Sequence, residues 1–166
     1  MTTENYRLLA DLIATHPEQK VVGRTRLQKE VKLLQRLGFP TDYSYTLHFY
    51  GPYSEELQAD ISLLEAFQLV REEERLGQDN TRYYLLQAQP NANTGDSVPF
   101  QLTINRMAST PTVVLELAAT YDAFREFGAN HEEAMARLRR KKREKCTEPN
   151  VSQALGLLRS LSLPVE

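Results

Sequence analysis

Leu8, Leu9, Leu12 and Ile13 recur at the spacing of a single helix face, which predicts a first helix over residues 4–15 with Thr3 as its N-cap. His16-Pro17 ends it, because the residue before a proline is pushed out of the helical region. Leu27, Val31 and Leu34 repeat the pattern over residues 24–37, with Thr25 as N-cap and Gly38 as terminator. Lys29, Lys32 and Arg36 fall opposite that stripe, so this second helix reads as amphipathic with a basic exposed side. Tyr43, Tyr45, Leu47 and Phe49 then alternate with Ser44, Thr46 and His48, the period of a half-buried strand, and Gly51-Pro52 breaks it. A third helix begins at Ser54 and runs to Leu69, with Leu57, Ile61, Leu64 and Phe67 facing inward.

A hairpin follows, residues 70–76 and 81–87 around the turn Gly77-Gln78-Asp79-Asn80. Helix, helix, strand, helix and two-stranded hairpin is the element order of a winged helix. Residues 88–99, rich in proline, asparagine and glycine, read as a linker. Residues 100–107 fit strand and helix equally well. Three helices complete the chain: residues 112–127 with Val113, Leu117, Tyr121 and Phe124 inward, a second capped by Asn130 with Glu133 reaching back, and a last one carrying Val151, Ala154, Leu155, Leu158 and Leu161. The expected fold is therefore mainly α (α+β). It comprises a winged-helix domain over 1–87, a linker over 88–99, and a helical extension over 100–166 packed on the first domain.

The chain has 166 residues and a net charge of −2, so it is long enough for a real core and too balanced for its overall charge to name a partner. Its lone cysteine, Cys146, excludes an intrachain disulfide and agrees with a reducing cytoplasm. No apolar run approaches the ~20 residues of a membrane span, and the first residues carry no signal-peptide pattern. Charge is nevertheless concentrated locally: Arg137, Arg139, Arg140, Lys141, Lys142, Arg143 and Lys145 place seven cations in nine positions. At 100° per residue they surround the helix, and nothing apolar lies between Leu138 and Cys146. This stretch is expected to project into solvent, either as a phosphate-contacting arm or as a helix end complementing the macrodipole.

The third helix reads the other way. It carries Glu55, Glu56, Asp60 and Glu65 and no lysine or arginine, so a duplex would repel it. Only Gln58 suits base readout. Small residues at Ala59, Ser62 and Ala66 among those acids suit close packing of a protein partner. Tyr50 and Tyr53, which bracket Gly51-Pro52, are the expected exposed aromatic pair, whereas Tyr43, Tyr45 and Phe49 read as core. The hairpin's Arg71, Arg75 and Arg82 nearly cancel Glu72, Glu73 and Glu74, unlike a DNA-binding wing.

Catalytic chemistry finds little support. His16, His48 and His131 have no metal-ligand spacing, there is no phosphate-cradling glycine loop, and no cofactor or metal is expected. Cys146 follows the basic run, which would lower its pKa, but no histidine is near it in sequence.

Gly23-Arg24-Thr25-Arg26-Leu27-Gln28-Lys29, Leu33-Leu34, and Phe49-Tyr50-Gly51-Pro52-Tyr53-Ser54-Glu55-Glu56-Leu57 resemble the YwgA-like family of small prokaryotic winged-helix proteins, which is similar in turn to Panacea-type antitoxin domains. Leu115-Glu116-Leu117-Ala118-Ala119-Thr120 and Glu132-Glu133-Ala134 look like that family's helical tail. The resemblance implies the fold and, through the Panacea relatives, a protein-binding antitoxin or adaptor role. This chain departs from their tryptophan-containing strand by having no tryptophan.

The leading expectation is thus a non-enzymatic interaction module. Its partner would meet Tyr50, Tyr53, Glu55, Gln58, Ala59, Ser62 and Glu65. The alternative is a DNA-binding regulator of little base specificity, contacting phosphates through Lys29, Lys32, Arg36, Arg139, Arg140, Lys141, Lys142 and Arg143. The C-terminal helices could supply a homodimer interface.

Overall fold

Helix ends in this chain are set by residues that leave the helical region easily. The computed structural model describes residues 4–48 and 51–166, so the cap expected at Thr3 and the side chains of Phe49 and Tyr50 lie outside the described residues. The architecture is α+β, largely helical with a small sheet. Its elements gather into two compact units, residues 4–45 with 54–109, and residues 46–48 and 51–53 with 110–166.

In the first unit, α1 (Asn5–Thr15) buries Leu8, Leu9, Leu12 and Ile13 and stops at His16, ahead of Pro17. A single 3-10 turn leads into β1 (Lys20–Val22). Gly23, at φ 92°, takes the N-cap expected of Thr25 and admits α2 (Arg24–Arg36). Gly38, at φ 98°, closes α2 in a Schellman motif, with Phe39 N donating to Leu34 O at 3.0 Å and Gly38 N donating to Gln35 O at 3.2 Å. Leu27, Val31 and Leu34 are fully buried, each contributing about 1.5–3 kcal/mol. The far side of α2 is buried as well: Gln28, Lys29, Glu30 and Lys32 are all inside. The basic exposed side read from the helical period is therefore a buried polar side.

α3 (Glu55–Ala66) is capped by Ser54, whose hydroxyl accepts from Leu57 N at 3.1 Å. It ends three residues short of the expected Leu69, and Phe67 is 53% exposed instead of inward. β4 (Val70–Leu76) and β5 (Arg82–Ala88) form the expected hairpin, and β1 pairs on its other side to give a sheet of order β1-β5-β4.

Residues 88–99, expected to be a linker, fall inside the first unit. The Asp11 carboxylate accepts from Thr94 N at 2.6 Å, Gly95 N at 2.8 Å and Ser97 N at 2.7 Å, which pins this loop to α1. Ala92 is buried beneath it. α4 (Gln101–Ala108) resolves the ambiguous segment as helix, anchored where Phe100 meets Phe39 edge-on at 5.3 Å. The boundary expected at 88–99 falls between residues 109 and 110.

The second unit contains β2 (Thr46–His48) and β3 (Gly51–Tyr53), paired antiparallel as a small hairpin. Gly51-Pro52 thus continues a sheet rather than breaking one, and β2 is exposed throughout rather than half-buried. Around α5 (Thr112–Glu126) pack α6 (His131–Lys142) and α7 (Glu148–Ser160). Leu115, Leu117, Ala118, Ala119 and Tyr121 are the buried centre of this unit. Asn130 caps α6 by accepting from Glu133 N at 2.9 Å.

Candidate functional site

The first turn of α3 is fixed from below by a buried side chain. Gln28 on α2 donates through Nε2 to Ser54 O at 2.8 Å and accepts from Ser54 N at 2.9 Å, satisfying both backbone groups at the helix entrance. Because only Leu57, Ile61 and Leu64 of α3 turn into the core, the rest of the helix is a surface. Of the residues predicted to meet a partner, Glu55, Ala59, Ser62 and Glu65 are exposed there and Gln58 is half-buried. Leu63 and Phe67 add exposed apolar area beside them. Phe67 leans on Tyr6 with ring centroids 5.2 Å apart. Tyr53 is half-buried in β3 of the second unit, stacked on His48 at 4.7 Å.

A groove of about 710 Å³ runs along α3, and most of its walls were not marked by sequence. Glu4, Asn5 and Tyr6 come from the start of α1, Pro40, Asp42 and Tyr43 from the turn after α2, and Glu56, Ala59 and Asp60 from α3. Hydrogen bonds hold the walls in place. Asn5 Nδ2 donates to Asp42 Oδ1 at 2.6 Å, Tyr43 OH donates to Asp60 Oδ2 at 2.6 Å, and Ser44 N donates to Glu56 Oε1 at 3.3 Å. Burial, reinforced by Asp60, pushes the Tyr43 phenol far above its usual range and keeps it a donor. Among the described residues four carboxylates line the groove, with no lysine or arginine; Arg7 lies over the Tyr6 ring, 5.5 Å from its centroid. Such a surface accepts hydrogen bonds and pairs with cations. Asp42 and Tyr6 are more than thirty positions apart, so no local pattern could have joined them.

The basic candidates divide differently from the sequence reading. Lys29 is 1% exposed and Lys32 is buried with its ammonium 5.6 Å from the Tyr45 ring centroid, so neither reaches a phosphate; Arg36 is half-buried. At the start of α2, Arg24 grips Glu72 through Nε at 2.6 Å and Nη2 at 2.9 Å, while Arg26 donates to Met107 O at 2.9 Å. In the second unit Lys142 is 4% exposed and donates to Glu116 Oε1 at 2.6 Å. Lys145 donates to the same oxygen at 3.0 Å. The basic stretch is therefore not wholly a projecting arm. Arg139, Arg140, Lys141 and Arg143 are exposed and make no ion pair among the described residues.

The three histidines stay apart. His16 is buried, with Nδ1 2.8 Å from Leu12 O and Nε2 2.8 Å from Glu30 Oε1, and His131 Nδ1 lies 2.7 Å from Tyr121 OH. Among the described residues no group of three or more His, Cys, Asp or Glu is placed to hold a metal ion. Burial pushes the Cys146 thiol up, outweighing Arg139 and Lys142, the reverse of the activation expected from its neighbours. No helix among the described residues is long and apolar enough to cross a membrane.

No family model matches the sequence. The chain is similar to the uncharacterised protein YwgA of Bacillus subtilis (strain 168), at 44% identity over 45 residues. The match spans 27% of this chain and 27% of the length of that curated relative.

Proposed function

We propose that this chain is a non-enzymatic interaction module of the adaptor or antitoxin kind, with its first unit a winged helix whose α3 takes a protein partner. The order α1-β1-α2-α3-β4-β5 and the sheet order β1-β5-β4 support the winged-helix reading; the strand that joins the hairpin comes before α2, not after it as expected, and β2 with β3 is an insertion between α2 and α3. In that fold α3 is the element a DNA-binding relative would present to the major groove. Here its exposed face offers Glu55, Glu56 and Glu65 with Ala59, Ser62, Leu63 and Ala66, which repels phosphates and suits a protein surface. That acidic, small-residue face beside a formed groove is the observation that carries the reading. The half-buried lone thiol Cys146 fits a reducing cytoplasm.

A photo-crosslinking residue at Ala59 or Ser62 tests it in cells of the source organism, with Leu102, 83% exposed, as the control position. Protein adducts from α3 exceeding those from the control support the reading, and their absence overturns it.

A second reading rests on the exposed Arg139, Arg140, Lys141 and Arg143: a DNA-associated regulator with phosphate contacts and little base specificity. With Lys29, Lys32 and Lys142 buried, the cations available to it are fewer than the sequence suggested. Binding to a fluorescent random duplex at ~50 and ~200 mM salt separates the two readings, since phosphate-driven affinity falls by orders of magnitude over that range.

A further inference from the structure

The groove along α3 and the exposed end of α6 are complementary in charge. The groove presents Glu4, Asp42, Glu56 and Asp60 beside Tyr6, Pro40, Tyr43 and Ala59. α6 presents Arg139, Arg140 and Lys141, with Arg143 just past its end, while Glu116 takes Lys142 and Lys145 out of play. We propose that the α3 groove binds the basic end of α6 from a second copy of this chain. The inference rests on α3 being a protein-binding face and names its partner.

Three features favour that occupant. Arginine recognises carboxylates through paired N–H donors, and the groove offers carboxylates on three elements around one channel. The exposed Pro40 and half-buried Tyr6 in its lining supply apolar surface for the arginine stems, which bury their methylenes while the heads pair. Arg139, Arg140 and Lys141 lie within roughly 3 Å of one another along the axis of α6 at 1.5 Å per residue, so they can reach one groove together. Each copy carries both halves, so reciprocal engagement closes a two-fold dimer and one-way engagement builds open chains.

Sedimentation of the full chain at ~50 and ~500 mM salt is the test, because exposed ion pairs are screened over that range. The expected result is a species heavier than the monomer at low salt that dissociates at high salt. Reversing the groove with Asp42→Lys and Glu56→Lys, or the arm with Arg139→Glu and Arg140→Glu, leaves each variant monomeric. An equimolar mixture of the two variants associates again, since one reversed groove then meets one reversed arm. Circular dichroism of each variant confirms that it is folded. A monomeric wild type at low salt, association insensitive to either reversal, or a mixture that stays monomeric overturns the inference. A monomeric chain that still crosslinks from Ala59 to a different protein overturns the self-association and leaves α3 as a partner-binding face. Absence of any adduct from α3 removes the reading beneath it as well.

Discussion

Glu116 on α5 and Lys142 on α6 form a buried ion pair, Oε1 to Nζ at 2.6 Å, and Lys145 joins the same oxygen at 3.0 Å. Glu116 is therefore the counter-charge that lets a highly basic helix end pack against the core. Burial drives the Lys142 ammonium's pKa down while Glu116 opposes the shift, so the pair depends on both partners. Removing only the acid leaves a cation inside. Glu116→Gln is expected to cost about 3–5 kcal/mol in urea unfolding, whereas Glu116→Leu combined with Lys142→Met recovers most of that loss.

Asp11 ties the loop at 94–97 to α1 through three backbone N–H groups. Burial alone would raise its pKa, but those hydrogen bonds from Gly95, Thr94 and Ser97 outweigh burial and hold it below the ordinary 3.8. A lowered folded pKa means stability that is present above pH ~4 and is lost as pH falls through the folded value. Asp11→Ala is expected to flatten the acid limb of the stability profile. It also opens residues 93–97 to proteolysis at neutral pH, which a timed digest reads directly.

His16 works with the opposite sign. Burial would lower its pKa, but the Glu30 hydrogen bond and charge, with the Leu12 carbonyl, raise it above 6.5. Both ring nitrogens face oxygen acceptors, which favours the doubly protonated imidazolium. The stability it contributes is complete below pH ~6.5 and declines as pH rises through the raised folded value. His16→Gln should remove that alkaline decline, measured as the midpoint of urea unfolding from pH 6 to 9.

Gln28 positions α3 by meeting both backbone groups of Ser54. Gln28→Leu leaves the buried Ser54 N–H unpaired, at roughly 1–3 kcal/mol, while Ser54 O keeps its bond from Gln58 N at 3.1 Å. The expected signature is a lower unfolding midpoint together with weaker crosslinking from Ala59, because the face shifts when its entrance is loosened.

Gln68 follows the C-cap of α3 at φ 58°, a left-handed position where a side chain is strained. Leu69 N donates to Leu64 O at 2.9 Å and Gln68 N to Glu65 O at 3.0 Å, the helix-closing bonds a glycine there would also support. Gln68→Gly is expected to gain about 1 kcal/mol, visible as a higher unfolding midpoint.

The sequence by itself determined the elements that local chemistry dictates. The hairpin around Gly77 to Asn80, the stop at His16-Pro17, the Gly38 terminator, the helix start at Ser54 and the cap Asn130 rest on residues within a few positions of one another. The acidic exposed face of α3 was legible for the same reason, since helical period places Glu55, Ala59, Ser62 and Glu65 away from Leu57, Ile61 and Leu64. Only the tertiary structure decided which charges reach solvent. Period gives a helix its faces but not the number of neighbours it meets, so Lys29 and Lys32 read as exposed on a helix that is buried on both sides. Lys142 read as solvated because its counter-charge, Glu116, lies 26 positions away on another helix. Residues 88–99 read as a linker because the carboxylate that orders them belongs to α1. Burial and pairing are properties of distant residues brought together, and a one-dimensional pattern carries no record of that meeting.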